Sequence, residues 1–568
     1  MNSGSLLSLF VVTVAVSVSP ATAQTFGGDE LLYRFDGAAP SDYMGSSVAG
    51  VGDINGDGIN DFVMSAVGAD PGGISKAGSV YAYSGANGSL IWQWDGTQAS
   101  QYLGEVAGGG DVDVDGFADV IIGTPHTDYG GITDAGSVSV YSGRNGSLLL
   151  QWHGAFASCG FGTAVANAGD INGDGHSDVI VGAPSGSNAV FVYSGATGSL
   201  LAQLNGTTAG DRFGGQVANA GDANGDGIND IVIGATGTTS PTGRTNAGSV
   251  YVYSGSTFSQ LWRQDGYKAD DLLGYSVGHA GDLNGDGFDD VIAGAAGANS
   301  MGMINNGTAC ALSGIDGSLI WDWHGGNEGD FFGHAVAGVG DFNNDGIDDV
   351  AVSAAQADSL GSIFDDNGAV YVYSGLDASL IWRWNGEEAY DNLGRNGSLD
   401  NVGDINGDGI NEIIAGTYLT FGNGAGYDAG TAYVYSYSPF IYPEAVSFSN
   451  AAGASLGYQL DFPDSAAFLD YKVLISGSGT GPFNLGVDIP LTPDELAKST
   501  FFGTYPAPSS GMHGTLDASG QAYAIANVPP GLFTNWVIGR TFHFAAIAMS
   551  PSSPPQFSSA AVPLTVEP

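Results

Sequence analysis

Positive charge is scarce in this chain of 568 residues: 12 Lys and Arg stand against 59 Asp and Glu, a formal net charge of −47. Nothing here could neutralise a phosphate backbone, so a nucleic-acid partner is excluded. Cysteine is nearly absent. Cys159 and Cys310 fall in different repeating units, which argues against a disulfide and for buried free thiols. Membrane-spanning apolar runs are missing too. Leu6 to Val18 is too short to cross a bilayer, and with Ala21-Thr22-Ala23 before Gln24 it reads as an export signal over residues 1–23, although Met1 to Ser5 carries no Lys or Arg. The expectation is a protein that is secreted or held at the cell surface or envelope, with no transmembrane segment. Glycine, by contrast, is abundant at 94 residues, without a collagen-like triplet and with an ordinary 43% of hydrophobic residues. That combination favours a turn-rich β protein over disorder.

One acidic loop occurs seven times. Its first copy runs Asp53-Ile54-Asn55-Gly56-Asp57-Gly58-Ile59-Asn60-Asp61. Oxygen side chains stand at positions 1, 3, 5 and 9, and glycine at position 6 lets the chain turn so that position 7 can offer its carbonyl. Such a set suits a hard cation, since calcium takes six to eight oxygens at roughly 2.3–2.6 Å. The expected ligand sets are Asp53, Asn55, Asp57, Ile59 and Asp61; Asp111, Asp113, Asp115, Phe117 and Asp119; Asp170, Asn172, Asp174, His176 and Asp178; Asp222, Asn224, Asp226, Ile228 and Asp230; Asp282, Asn284, Asp286, Phe288 and Asp290; Asp341, Asn343, Asp345, Ile347 and Asp349; and Asp404, Asn406, Asp408, Ile410 and Glu412. Up to seven Ca²⁺ ions are expected. Five ligand positions nearly saturate an ion, whereas a catalytic metal needs an open position and a nearby base. The ions therefore read as staples that stabilise the fold by binding it.

The loops recur at spacings of 58, 59, 52, 60, 59 and 63 residues, and the rest of each period repeats with them. After each loop comes an apolar run such as Asp178 to Gly182, then a variable insert, an alternating run such as Gly248 to Gly255, a tight turn, and a fourth run such as Ser89 to Trp94. Four strands per period, repeated seven times, predict an all-β chain whose main unit is a seven-bladed β-propeller over residues 24–438. The last period lacks a fourth strand, and Leu31 to Gly37 matches one, so the N-terminal strand is expected to complete the seventh blade. From about Pro439 the period stops. Residues 439–568 are expected to form a smaller β-rich, sandwich-like domain, with one helical stretch over Thr492 to Ser499.

Short motifs flank each acidic loop. Phe161-Gly162, Phe213-Gly214 and Phe332-Gly333 precede it, varied to Met44-Gly45, Leu103-Gly104, Leu273-Gly274 and Leu393-Gly394. Gly182-Ala183-Pro184 follows it, drifting to Gly123-Thr124-Pro125 and Gly234-Ala235-Thr236. With the loop between them these residues resemble the FG-GAP repeat of integrin α-subunit N-terminal domains, in a secreted, bacterial-type setting. The resemblance covers about Leu31 to Ser436. It implies a seven-bladed propeller, calcium in loops joining first and second strands, and a role in adhesion or ligand binding. All seven loops are ligand-competent here, more than is typical of that family. Loop 6 has Asn344 in place of glycine at position 4, and loop 7 ends in Glu412.

Catalytic signatures are weak. Gly274-Tyr275-Ser276-Val277-Gly278 and Gly453-Ala454-Ser455-Leu456-Gly457 match a nucleophile-elbow string, but neither sits in a strand–turn–helix setting. The expectation is a non-enzymatic, monomeric binder of an extracellular protein or glycan surface. The alternatives are an accessory protein of an extracellular hydrolase or lyase and a structural envelope component. The tryptophans on the fourth strands are read as packing between blades. Recognition is expected on the variable connections opposite the acidic loops, where Tyr129, Arg244, Met303, Phe364, Phe421 and Tyr427 are the candidate contacts.

Overall fold

A computed structural model describes residues 29–437, except 344, 359–365, 418 and 420–427, and beyond them the backbone of strands between 441 and 567. Each period folds as its pattern demands. Second strands such as Asp119–Thr124 and Asp178–Ala183 are buried at every position, because neighbouring blades cover both faces; hence continuous apolar runs rather than alternation. Fourth strands such as Leu90–Asp95 lie at the outer edge and stay partly exposed.

Six antiparallel four-stranded sheets follow chain order. The first blade is Met44–Gly52, Asp61–Ala66, Ser79–Tyr83 and Leu90–Asp95. The fifth is Ser276–Gly281, Asp290–Ala295, Thr308–Leu312 and Leu319–His324. The seventh joins Leu399–Gly403, Glu412–Thr417 and Thr431–Tyr437 to the N-terminal strand Asp29–Asp36, with Arg34 opposite Tyr433. The chain is thus all-β with seven blades, and the ring closes through the N-terminal strand as expected. Asp400 on the seventh blade accepts the Gly50 N–H of the first at 3.0 Å, a second tie across the closure.

Fourth-strand tryptophans tie four of the blades to the next one. The indole N–H of Trp92 donates to the Gly143 carbonyl of the next blade at 2.6 Å, Trp152 to Gly198 at 2.8 Å, Trp262 to Gly314 at 2.6 Å and Trp321 to Gly375 at 2.7 Å. Each ring buries its apolar body between blades while its one polar atom finds a partner. Cys159 and Cys310 are free and buried, as expected.

Beyond Tyr437 the strands pair among themselves. Ile441–Pro443, Ala454–Asp461, Gln521–Val528 and Ser509–Ser510 form one sheet. A second is centred on Asp470–Ser476 beside Thr541–Met549, so the two alternating runs noted in the sequence are antiparallel neighbours. The expected helix at 492–499 lies outside the described residues.

Candidate functional site

All seven acidic loops join first to second strands, so they share one face. The glycine at position 6 has φ between +84° and +91° in every copy, the left-handed region that position requires. The carboxylate at position 1 closes the turn from within: Asp53 accepts the N–H groups of Gly56 at 2.6 Å and Gly58 at 2.9 Å. Position 5 accepts the N–H of position 7, as Asp57 does from Ile59 at 2.9 Å and Asp226 from Ile228 at 3.0 Å. In loop 3 the ring of His176 is engaged with the Val112 carbonyl at 2.6 Å, which leaves its backbone carbonyl as its contribution to the loop.

Position 9 has a second duty that the sequence did not announce. Asp61, Asp119, Asp178, Asp230, Asp290, Asp349 and Glu412 are fully buried. One carboxylate oxygen of Asp61 accepts the Ile54 N–H at 3.0 Å; the other accepts the Asn55 side chain at 3.1 Å and the Gly85 N–H at 3.0 Å. Gly85 lies in the turn between third and fourth strands, so the carboxylate clasps the loop to the outer half of its blade. The same bond, at 3.0 Å, recurs from Gly143, Gly195, Gly255, Gly314 and Gly375. Burial raises these carboxyls, to about 6 for Asp61, Asp119, Asp178 and Asp230 and to about 7 for Asp290 and Glu412; Asp349 is raised well above its ordinary range. In each loop the neighbouring carboxylates add to the rise.

The densest anionic point is loop 2, where oxygens of Asp111, Asp113 and Asp115 all lie within 4.8 Å of one another. Between them Val114 has φ +59°, a conformation that costs a β-branched residue about 1–2 kcal/mol. In loop 6 the Asn343 Oδ1 is buried without a hydrogen-bond partner. The donor sets are hard oxygens throughout, and three carboxylates drawn together with an orphaned amide oxygen in a sister loop fit a hard divalent cation.

Around the axis the seven first strands enclose a channel of about 600 Å³. At the end away from the acidic loops Tyr275 Oη meets His334 Nε2 at 3.2 Å, and His334 Nδ1 accepts the Asn396 N–H at 2.9 Å. Burial and then the Arg395 charge push this histidine down to about 4, so it is neutral near pH 7.

The candidate contacts on the opposite face are dispersed. Tyr129 is exposed on the second blade and stacks on His153 with centroids 3.4 Å apart. Arg244, on the fourth, reaches the Gly266 carbonyl at 3.5 Å, and Met303, on the fifth, is half-buried. Phe364, Phe421 and Tyr427 lie outside the described residues. Ser276 is buried on an inner strand and donates to the Gly333 carbonyl at 3.0 Å, which is a structural setting. Position 455 falls within the strand Ala454–Asp461.

Comparison with known proteins agrees with this geometry. The FG-GAP-like repeat family matches residues 111–181 and 170–233, and the FG-GAP repeat family matches 273–309 and 332–373. The propeller carries FG-GAP repeats. Among curated proteins the chain is similar to integrin alpha-V of Gallus gallus, 32% identical over 253 residues, which is 41% of this chain and 24% of that protein. Integrin alpha-4 of Xenopus laevis is 32% identical over 275 residues, 45% of this chain and 25% of that protein. Integrin alpha pat-2 of Caenorhabditis elegans is 36% identical over 223 residues, 34% and 18% of the two chains. The matched region thus spans a quarter or less of each relative. Blades one and seven lie outside the family matches, yet they repeat the same strand order and the same loop geometry. Among the described residues no helix is long and apolar enough to cross a membrane.

Proposed function

We propose that this protein is an exported, non-enzymatic FG-GAP propeller that binds calcium in its seven acidic loops and recognises an extracellular protein or glycan on the opposite face. The observation that carries this reading is the repetition of one loop geometry on a single face. In the second loop it gathers three carboxylates that repel each other when no cation is bound. In each loop the side chains of positions 1, 3, 5 and 9 and the carbonyl of position 7 would hold the ion. A carboxylate has about four lone-pair sites, so the clasping hydrogen bonds at position 9 leave room for a metal. Bound calcium would supply charge neutralisation and rigidity. The chain itself contributes a ring of blades whose variable connections present a ligand-binding surface.

In this reading the leader at 1–23 is removed, residues 24–438 form the propeller, and 439–568 form a separate β-rich domain. Similarity to integrin α-subunits supports an adhesion-type role for a monomeric propeller. The test measures binding of the full chain to polysaccharides, matrix proteins and envelope fractions, in calcium and in chelator, with thermal unfolding in parallel. Saturable, turnover-free binding that needs calcium is the expected result. An unchanged melting curve after verified calcium removal overturns the metal reading. Turnover lost on mutating carboxylates outside the loops overturns the non-enzymatic one.

A further inference from the structure

The fifth blade departs from its sisters at one slot. In the middle of the third strand the other blades carry Tyr81, Ser139, Phe191, Tyr251, Tyr371 and Tyr433; the fifth has Cys310. Two residues on, the others carry tyrosine throughout, and the fifth has Leu312. The cross-strand partner changes as well: it is Gln93, Gln151 and Gln203 in the first three blades and arginine in the fourth, sixth and seventh. Arg263 lies over the Tyr251 ring at 5.1 Å, Arg383 over Tyr371 at 5.0 Å and Arg34 over Tyr433 at 5.5 Å. Opposite Cys310 stands Asp322. The second blade lacks a ring at this position too, but there Gln151 fills the slot by donating to Ser139 at 3.0 Å.

Losing both rings and the guanidinium leaves a cavity of about 130 Å³ against the fourth blade. Its walls are apolar at Leu273, Leu312 and Cys310, and Asp322 and Asp271 face it. Asp271 is 5% exposed; one of its oxygens accepts the Lys268 N–H at 2.7 Å, while the other is buried without a partner. Lys268 turns its ammonium to the Asn299 carbonyl, and His324 Nε2 lies 3.3 Å from Asp322, which is half exposed. Tyr267, 61% exposed, stands at the rim.

We infer that this cavity is a binding site for a small organic cation with a single six-membered ring. An apolar cavity of about 150 Å³ accepts benzene, so the volume suits one ring. Three sister blades show that the slot accommodates a ring with a cation beside it, and at the position where the others carry arginine or glutamine the fifth blade has a carboxylate. A protonated amine on the ligand meets Asp322 at the mouth and the unpartnered oxygen of Asp271 within, and an unpaired buried carboxylate oxygen gains from such a donor. The site is separate from the acidic loops and does not depend on the proposed adhesive role.

The experiment is calorimetric titration of the full, calcium-loaded protein with 2-phenylethylamine, with benzyl alcohol and phenylacetate as neutral and anionic controls. Saturable one-to-one binding of the amine is expected, at least tenfold tighter than either control. The double variant Cys310→Tyr/Asp322→Arg, which rebuilds the ring-and-guanidinium pair of the fourth, sixth and seventh blades, should fold and abolish binding. If that variant misfolds, Asp322→Asn alone should weaken the amine at least tenfold and leave benzyl alcohol unchanged. No saturable amine binding by the wild-type protein, equal affinity for phenylacetate, or undiminished binding in a folded double variant or in Asp322→Asn overturns the assignment.

Discussion

If position 9 clasps the blade as well as serving a cation, its removal should be costly even when no cation is bound, whereas removal of position 5 should not. The first blade offers a clean pair, Asp61→Ala and Asp57→Ala. Truncating Asp61 deprives the buried N–H groups of Ile54 and Gly85 of their acceptor, at about 1–3 kcal/mol each. Part of this is offset, because a fully buried carboxylate raised to about 6 is itself poorly solvated in the folded protein. We expect a net loss of about 2–4 kcal/mol in chelator. Asp57 is exposed, and water can replace its bond to the Ile59 N–H, so its removal in chelator should cost under about 0.5 kcal/mol. In calcium both variants should lose stability. Urea unfolding followed by tryptophan fluorescence, with and without chelator, reads all four values. Equal losses for the two variants in chelator would refute the clasp.

The blade-to-blade indole bonds give a second expectation: Trp262→Phe strips the Gly314 carbonyl of its donor and shrinks a side chain that is 7% exposed, and should destabilise by about 1–3 kcal/mol in the same urea assay. A third concerns pH. Asp391 is fully buried beside Glu387 and Glu388, and burial first, then those charges, push its carboxyl up to about 8. A raised folded-state value means that the native protein holds the proton longer than the unfolded chain. Its contribution is therefore complete below about pH 4, falls as pH rises from there, and is gone above about 8. Asp391→Asn should flatten the fall in stability between about pH 4 and 8, and an unchanged pH profile in that variant would count against the assignment.

Much of this architecture was legible in the chain because it recurs. Seven loops at near-constant spacing announced seven blades, and the missing fourth strand after Ser436 announced the closure that pairs Arg34 with Tyr433. The fourth-strand tryptophans were readable as packing because their position is fixed in the period. The clasp was not legible. Asp61 reads as one more loop oxygen, and its partner Gly85 lies 24 residues away in a turn whose approach depends on the register of two intervening strands. Nor was the orphaned oxygen of Asn343, since burial without a partner is a property of packing and leaves no mark in sequence. Variability alone marks the binding-face candidates, and those among the described residues, Tyr129, Arg244 and Met303, lie on three separate blades.

Repetition also marks where to look next. A residue shared by all seven blades answers to the ring: the left-handed glycine at position 6 and the buried carboxylate at position 9 are required wherever a blade must turn and hold its loop. A residue that breaks the pattern is under no such requirement, and its cost must be met locally. Val114 breaks it in the most acidic loop, at a backbone conformation its side chain resists. Cys310, Leu312 and Asp322 break it together in the fifth blade, and among the described residues nothing fills the space that they leave. Three concerted departures at one slot, which together leave a gap and put a carboxylate where the other blades carry arginine or glutamine, are better explained by an occupant from outside than by drift. Independent losses would leave a void without also placing an anion beside it.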